Sequence, residues 1–175
     1  MVLIGFMGAG KSTVGRLLAE QLACPFIDLD SEIALTHGSI PGLFSTRGES
    51  GFRAIEHHQL RHVLPTLPRP SVLALGGGAF IQPANRELLT QHSATVIFLD
   101  APFEVLCARI ADTGHQRPLA RDIDRLHELF ERRRPTYSLA HYTFDASESD
   151  PTCLLASLVQ LANSLGVSAS PRDKL

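Results

Sequence analysis

Several residue types are scarce in this chain of 175 residues, and each scarcity excludes a class of protein. The three cysteines, Cys24, Cys107 and Cys153, are far apart and include no C-x-x-C pair. Such spacing provides neither a disulfide framework nor a zinc site, so we expect reduced thiols in the core. No apolar run approaches the length of about 18 residues that a membrane-spanning helix needs.

Excess charge is also lacking, because the net charge is only −2. A nucleic-acid-binding domain is usually strongly basic. The chain also enters a glycine-rich stretch at Gly5, without the charged and apolar segments of a signal peptide. We therefore expect a small enzyme of the cytoplasm with no nucleic-acid or membrane partner.

Lysine is the rarest charged residue, since of the 16 lysines and arginines only Lys11 and Lys174 are lysines. Lys11 lies in the stretch from Gly5 to Thr13, which fits the phosphate-loop pattern G-x-x-x-x-G-K-[ST]. An apolar run at 2–4 precedes the loop and a helical pattern at 14–23 follows it, as the motif requires. The pattern predicts that backbone N–H groups and Lys11 bind a polyphosphate, and that Ser12 ligates Mg²⁺.

Apolar strand patterns alternate with helical patterns along the rest of the chain, which predicts an α/β fold with a mainly parallel sheet. The predicted strands are 2–4, 26–30, 71–75, 94–99 and 142–145. The predicted helices are 14–23, a broken helical insert at 31–64, and 83–92, 103–110, 125–134 and 151–165. We expect a mobile lid at about 111–122, where the apolar pattern stops, and a disordered tail at 168–175.

Asp28 and Asp30 end the second predicted strand and are two residues apart, so both carboxylates are expected on one face of that strand. Open α/β sheets bind their ligands at this end. A role near Mg²⁺ and an acceptor hydroxyl is therefore predicted. The alternative is that one of them only caps the helix that begins near Ser31.

Arg53 lies on a helix of the insert, where its guanidinium is able to bind an acidic substrate. The alternative is a salt bridge to Glu56 or Glu49 within that helix, and both are possible together. His58 and His62 on the same helix have the i, i+4 spacing of a metal pair. Because no third ligand is nearby, we favour a solvated helix face.

Gly76, Gly77 and Gly78 follow the apolar strand 71–75 directly. Glycines here allow a ligand to approach the backbone N–H groups, although a flexible turn is the alternative. Further along, Arg132, Arg133 and Arg134 point in different directions around a helix, so at least two of them are expected to form a basic surface patch.

Five motifs in this order resemble those of shikimate kinases, and the resemblance extends from Val2 to about Leu165. Besides the phosphate loop they are Asp28-x-Asp30, Gly48-Glu49 to Phe52-Arg53-x-x-Glu56, Gly76-Gly77-Gly78, Arg117-Pro118-Leu119 and Arg133-x-Pro135-x-Tyr137. The resemblance implies a three-layer α/β/α P-loop kinase of the nucleoside-monophosphate-kinase type, with a five-stranded parallel sheet, in one domain at 1–167. It also implies transfer of the γ-phosphate of ATP to the 3-hydroxyl of shikimate, in aromatic amino-acid synthesis.

The resemblance and the chemistry of the reaction assign the same roles. Lys11, Asp30 and Arg117 are the expected catalytic residues. The nucleotide phosphates are expected to contact Gly8, Ala9, Gly10, Lys11, Ser12, Thr13 and Arg117. Shikimate is expected to contact Asp30, Arg53, Gly76, Gly77, Gly78 and Arg133. Ser12 and Asp28 are expected to hold Mg²⁺, and the protein is expected to be a monomer.

Four other classes of function compete with this interpretation. A regulatory GTPase is disfavoured because the chain has no N-K-x-D motif. A nucleoside-monophosphate kinase has no use for the two aspartates and Arg53. The glycine triplet and the motif at Arg133 argue against a gluconate kinase. A non-catalytic sensor of a small acid has the same fold, and only an assay separates it from an enzyme.

Overall fold

The computed structural model of the chain describes residues 1–112, 123–148 and 150–167. The strands are β1 (Val2–Ile4), β2 (Phe26–Asp28), β3 (Val72–Ala74), β4 (Val96–Asp100) and β5 (Tyr142–Asp145). The α-helices in the described part are α1 (Lys11–Gln21), α2 (Leu29–His37), α3 (Ile40–Val63), α4 (Pro83–Gln91), α5 (Phe103–Asp112), α6 (Ile123–Tyr137) and α7 (Thr152–Ser164).

The five strands form one sheet in the order β2-β3-β1-β4-β5, and every neighbouring pair is parallel. The predicted five-stranded parallel α/β fold is thus confirmed. Residues of β1 and β3 are fully buried, as expected of parallel strands covered on both faces. Right-handed crossovers place α1 on one face and the helices that lead from β2 to β3 and from β3 to β4 on the other.

The direction of winding reverses at the centre of the sheet. From β1 the chain moves outward to β2 and returns through β3, and it then passes over β1 to reach β4. Doubly wound sheets bind ligands at such a reversal, beyond the carboxyl ends of the strands. The phosphate loop after β1 and the glycine triplet after β3 both lie there.

The strand that carries Asp28 is shorter than the sequence predicts. β2 ends at Asp28, and Asp30 belongs to the first turn of α2. Leu29 is fully buried, so its apolar side chain fits a strand and a helix equally well. Asp28, the last residue of β2, is also the N-cap of α2, because its side chain accepts a hydrogen bond from Ser31 N.

The insert between β2 and β3, which was predicted as a broken helical segment, forms the two helices α2 and α3. α2 ends at Gly38, and α3 is kinked at Gly48, where φ is 66° and ψ is −178°. The kink separates a short first part of α3 from the part that carries Arg53. The predicted lid falls mainly on 113–122, and together with the predicted tail at 168–175 it lies outside the described residues.

The cysteines are free thiols, as expected, but the prediction that all three lie in the core is wrong. Cys24 and Cys107 are half-buried, whereas Cys153 in the first turn of α7 is exposed. Among the described residues, no helix is both long and apolar enough to cross a membrane.

Candidate active site

The phosphate loop joins β1 to α1 and has backbone angles that favour glycine. Gly8 has a φ of 82°, and a Cβ on this residue would lie 2.9 Å from the carbonyl oxygen of Leu106 on α5. A side chain here would therefore require both an unfavourable left-handed conformation and a shift of α5. Gly10, with a φ of 83°, is the residue directly before α1. The loop thus presents the N-terminus of α1, with its partial positive charge, to the carboxyl edge of the sheet.

Lys11 folds back over its own loop. Its Nζ donates hydrogen bonds to Gly5 O at 2.9 Å and to Phe6 O at 2.8 Å. The ammonium group is thus held where the chain leaves β1, and it is half-buried. In this position it adds a full positive charge to the loop that the sequence identifies as a phosphate site.

Ser12 and Asp28 are joined across the neighbouring elements α1 and β2. Ser12 Oγ donates a hydrogen bond of 2.5 Å to Asp28 Oδ2. A hydroxyl and a carboxylate side by side are hard oxygen donors, which Mg²⁺ prefers, and Mg²⁺ takes few protein ligands because it retains several waters. The donor set at this point therefore fits Mg²⁺. Asp28 also caps α2, so both interpretations of this carboxylate are compatible with its position.

Asp30 and Glu56 meet at Gly76, the first glycine after β3. A Cβ on Gly76 would overlap Asp30 Oδ1 and would lie 3.1 Å from Glu56 Oε1. Two carboxyl groups from α2 and α3 thus converge where the triplet begins. Only glycine permits both to approach the backbone so closely.

Arg53 reaches the last glycine of the triplet, because a Cβ on Gly78 would overlap its guanidinium. The same guanidinium pairs with Glu56 at 2.8 Å and with Glu49 at 3.6 Å. The salt-bridge interpretation is therefore correct, and the guanidinium nevertheless lies at the triplet. It also lies over the Phe52 ring, at 5.2 Å from the centroid.

Glu56 is a residue of this cluster whose importance the sequence did not reveal. Its side chain is 0% exposed, and Oε2 accepts hydrogen bonds from Arg53 and from Gln82 Nε2, the latter at 2.9 Å. Oε1 is buried and accepts no hydrogen bond from any residue that the structure describes. Burial raises the pKa of Glu56, against the opposing effect of Arg53. The sequence contains one indication of this pairing, because Glu56 comes three residues after Arg53 and both therefore lie on one face of a helix.

Arg133 and Tyr137 hold the middle glycine from α6. Arg133 Nη1 donates to Gly77 O at 3.3 Å, and Tyr137 Oη donates to the same oxygen. Burial lowers the pKa of Arg133 and raises the pKa of Tyr137 to about 12. Arg133 is 8% exposed, whereas Arg132 and Arg134 are exposed. Two of the three arginines are thus on the surface, as predicted.

The backbone after the triplet is fixed by further side chains that the sequence analysis did not identify. Asn85, which is fully buried, donates to Ala79 O at 2.8 Å and accepts a hydrogen bond from His57 Nδ1 at 2.7 Å. Arg86 donates to Phe80 O and Ile81 O. In contrast, no described residue accepts a hydrogen bond from the N–H groups of Gly77 and Gly78. The carbonyls are held by side chains, and these N–H groups are available to an anion.

The structure therefore brings together the phosphate loop and most of the predicted acceptor-binding residues. A Cβ on Gly77 would lie 3.6 Å from Met7 N and 3.7 Å from Arg133 Nη1. The two glycine-rich segments are thus so close that a single methyl group on Gly77 would touch the phosphate loop, with Asp30, Arg53 and Arg133 around the triplet. Arg117 lies outside the described residues.

Comparison with known proteins gives one consistent family. The family model described as "Shikimate kinase" matches residues 7–163. The shikimate kinase of Salinibacter ruber is 40% identical over 156 residues, which cover 82% of this chain and 75% of the relative. The shikimate kinase of Thiobacillus denitrificans is 43% identical over 152 residues, which cover 84% of this chain and 81% of the relative.

A solved structure described as the shikimate kinase of Acinetobacter baumannii in complex with shikimate has 37% sequence identity and a TM-score of 0.85. The match covers 95% of this chain and 94% of that one. One conclusion follows from the phosphate loop, from the glycine triplet with its surrounding arginines and carboxylates, and from the match over nearly the whole length. The chain belongs to the shikimate kinase family.

Proposed function

We propose that the protein transfers the γ-phosphate of ATP to the 3-hydroxyl of shikimate, giving ADP and shikimate 3-phosphate for aromatic amino-acid synthesis. The observation that carries this proposal is the proximity of the phosphate loop to the glycine triplet, with Arg53 and Arg133 at the triplet. A phosphate donor bound at the phosphate loop and an acidic acceptor bound at the triplet would therefore be adjacent.

The acceptor is held through its carboxylate. Arg53 and Arg133 are the guanidinium groups near the triplet, and guanidinium groups form charge-assisted, often bidentate hydrogen bonds with carboxylates. The N–H groups of Gly77 and Gly78 add two neutral donors. Asp30, on the other side of the triplet, hydrogen-bonds the ring hydroxyls and orients the 3-hydroxyl.

Phosphoryl transfer then consists mostly of positioning and charge neutralisation. The 3-hydroxyl oxygen forms a bond to the γ-phosphorus, the bond from that phosphorus to the β,γ-bridging oxygen breaks, and Asp30 takes the hydroxyl proton. Lys11 and Arg117 neutralise charge on the transferred group. Ser12 and Asp28 would hold Mg²⁺, which when bound would supply further positive charge beside the phosphates. Closure of the lid excludes water and limits ATP hydrolysis.

The proposal extends to the organisation of the chain. Residues 1–167 act as one domain with the acceptor-binding insert at 31–64 and the lid at 111–122. We further propose a monomer in the cytoplasm, which a sedimentation measurement and cell fractionation test directly.

The decisive experiment measures ADP release with shikimate, gluconate and quinate, each with and without Mg²⁺. We expect turnover that needs both shikimate and Mg²⁺. Preference for gluconate would identify the rival hydroxy-acid kinase. Shikimate binding without ADP release would identify a sensor with this fold.

A further inference from the structure

Two histidines on the outer face of α3 approach each other closely. His58 and His62 are both exposed, and their Nε2 atoms lie 3.1 Å apart. Their ring centroids are 4.3 Å apart, with an interplanar angle of 53°. The pair is on the surface, as the sequence predicts, and the two nitrogens lie within hydrogen-bonding distance of each other. The neighbouring His57 turns the other way, toward Asn85.

The separation of the two nitrogens fits a shared metal ion. Nitrogen ligands lie about 2.0–2.1 Å from Zn²⁺. For two nitrogens that are 3.1 Å apart, this distance gives an N–metal–N angle of about 95–102°. That range lies between the right angle of tetragonal sites and the tetrahedral angle. The helix holds the two rings on consecutive turns, so little rearrangement is needed to bind an ion.

We propose that His58 and His62 form a binding site for a divalent transition-metal ion of the Cu²⁺, Ni²⁺ and Zn²⁺ class. Imidazole nitrogen suits these ions, whereas Mg²⁺ and Ca²⁺ prefer oxygen. Among the described residues there is no cluster of three or more His, Cys, Asp or Glu side chains that could hold a metal. Water therefore completes the coordination, and Cu²⁺ binds more tightly than Ni²⁺ or Zn²⁺.

The site is separate from the proposed Mg²⁺ position in donor chemistry and in the elements that form it. Ser12 and Asp28 supply oxygen from α1 and β2, whereas the histidines supply nitrogen from α3. An ion here links two turns near the C-terminal end of α3, the helix that also carries Arg53 and Glu56. At a free concentration of ten times Kd, binding favours the folded state about elevenfold.

The test uses full-length protein without a polyhistidine tag and without nucleotide. Calorimetric titration with Ni²⁺ is expected to show one saturable site per chain, and Cu²⁺ is expected to give an electron paramagnetic resonance spectrum with coupling to two nitrogens. His58→Ala and His62→Ala should each abolish the saturable site. Both positions are exposed and alanine favours helix, so we expect both variants to fold.

Two further variants serve as controls. His127→Ala removes another exposed histidine with an i, i+4 neighbour, Glu131, and Cys153→Ser removes the exposed thiol. Both should retain the saturable Ni²⁺ site. Absence of saturable binding at millimolar Ni²⁺ would overturn the proposal, as would binding that persists in the variant lacking both His58 and His62.

Discussion

Lys11 contributes charge at the proposed phosphate site and hydrogen bonds to the loop that forms it. In Lys11→Met the chain length of the residue is kept and the charge is lost. We expect kcat to fall on the order of a hundredfold or more, about 3 kcal/mol of transition-state stabilisation. Because Gly5 O and Phe6 O lose a donor, the free energy of unfolding should also fall by about 1–2 kcal/mol.

Kinetics with both substrates saturating and a urea titration test the two effects separately. Lys174→Met, the same change at the other lysine of the chain, is the control and should leave both quantities unchanged. A decrease in kcat of less than about tenfold would contradict the role assigned to Lys11.

Arg53 pairs with Glu56 and Glu49 and is proposed to bind the substrate carboxylate as well, so its removal should affect both stability and substrate binding. In Arg53→Ala, kcat/KM for shikimate should fall about thirty- to a thousandfold, or about 2–4 kcal/mol. The variant should also lose about 2–3 kcal/mol of stability, because Glu56 remains buried without its charged partner. Nucleotide affinity should stay within about threefold of wild type.

A double variant separates these effects. Arg53→Ala with Glu56→Gln removes the unpaired charge and should recover stability, but it should not recover the shikimate kinetics. Arg53→Lys should likewise recover stability more than activity, since an ammonium group cannot form the planar bidentate contact. Recovery of normal kcat/KM in the double variant would mean that Arg53 serves only the helix.

Tyr137 is expected to act on the substrate through Gly77. Tyr137→Phe keeps the buried ring, which packs 5.2 Å from Phe98 between centroids, and removes the hydroxyl, which donates to Gly77 O and is hydrogen-bonded to the Arg133 side chain. We expect KM for shikimate to rise about five- to tenfold, about 1–1.4 kcal/mol, with little change in kcat or in KM for ATP.

Tyr142, the other tyrosine, is exposed, and Tyr142→Phe is the matched control. Because the pKa of Tyr137 is raised to about 12, its hydroxyl remains a donor at neutral and mildly alkaline pH. The effect of Tyr137→Phe on KM should therefore be the same at pH 7 and pH 9. An unchanged KM for shikimate would limit Tyr137 to a packing role.

At the scale of secondary-structure elements, the kink of α3 sets the direction of the segment that carries Arg53. Gly48 has a φ of 66°, and a Cβ there meets no heavy atom within 4 Å. Gly48→Ala therefore acts through backbone strain alone, at a cost of about 1–2 kcal/mol. Relief of that strain would reorient the helix, so KM for shikimate should rise. The free energy of unfolding should also fall.

Gly166, which follows α7, provides a control with a similarly positive φ. Its φ is 68°, and a Cβ there also meets nothing within 4 Å. Gly166→Ala should lower stability without changing the shikimate kinetics. Equal kinetic effects of the two substitutions would show that the direction of α3 is unimportant for the substrate.

Element boundaries show where sequence patterns stop being informative. β5 was predicted with its observed bounds, Tyr142–Asp145, because turn residues surround it. The prediction made β2 two residues too long, because the buried Leu29 fits both the alternating pattern of a strand and the apolar face of a helix. The hydrogen bond from Ser31 N to Asp28 identifies the start of α2. Such a cap depends on backbone angles, which the pattern of apolar residues does not specify.

At the scale of the whole molecule, buried Glu56 should make stability depend on pH. Burial raises the pKa of Glu56 above its ordinary value of 4.5. Its contribution to stability is therefore fully present below about pH 4.5 and is lost as pH rises through the raised pKa. As pH rises over that window, we expect the free energy of unfolding of wild type to fall relative to that of Glu56→Gln.

Unfolding titrations of both proteins across this pH range test the expectation, because contributions from other groups cancel in the difference. The control is Glu49→Gln, whose parent carboxylate is exposed and 3.6 Å from Arg53. A stability difference that stays constant with pH would mean that Glu56 ionises alike in the folded and unfolded chain.

The parallel sheet and the residues around the triplet were predictable because each is encoded locally. Apolar runs specify strands, and Arg53, Asp30 and the glycines lie in short recognisable motifs. The long-range hydrogen bonds were not predictable. Tyr137, for example, reaches Gly77 across 60 positions of the chain.

The order of the elements has an evolutionary consequence. Asp30, Arg53, Glu56 and the glycine triplet all lie between β2 and α4, in one uninterrupted segment of the chain. The phosphate loop precedes this segment, and Arg133 and Tyr137 join it from α6. A single recombination event that exchanges residues 29–82 would therefore deliver a new acceptor site, while the phosphate loop and Asp28 stay in place. Descendants of such a fold can diversify by cassette exchange, and among the described elements α6 would have to adapt with the exchanged segment.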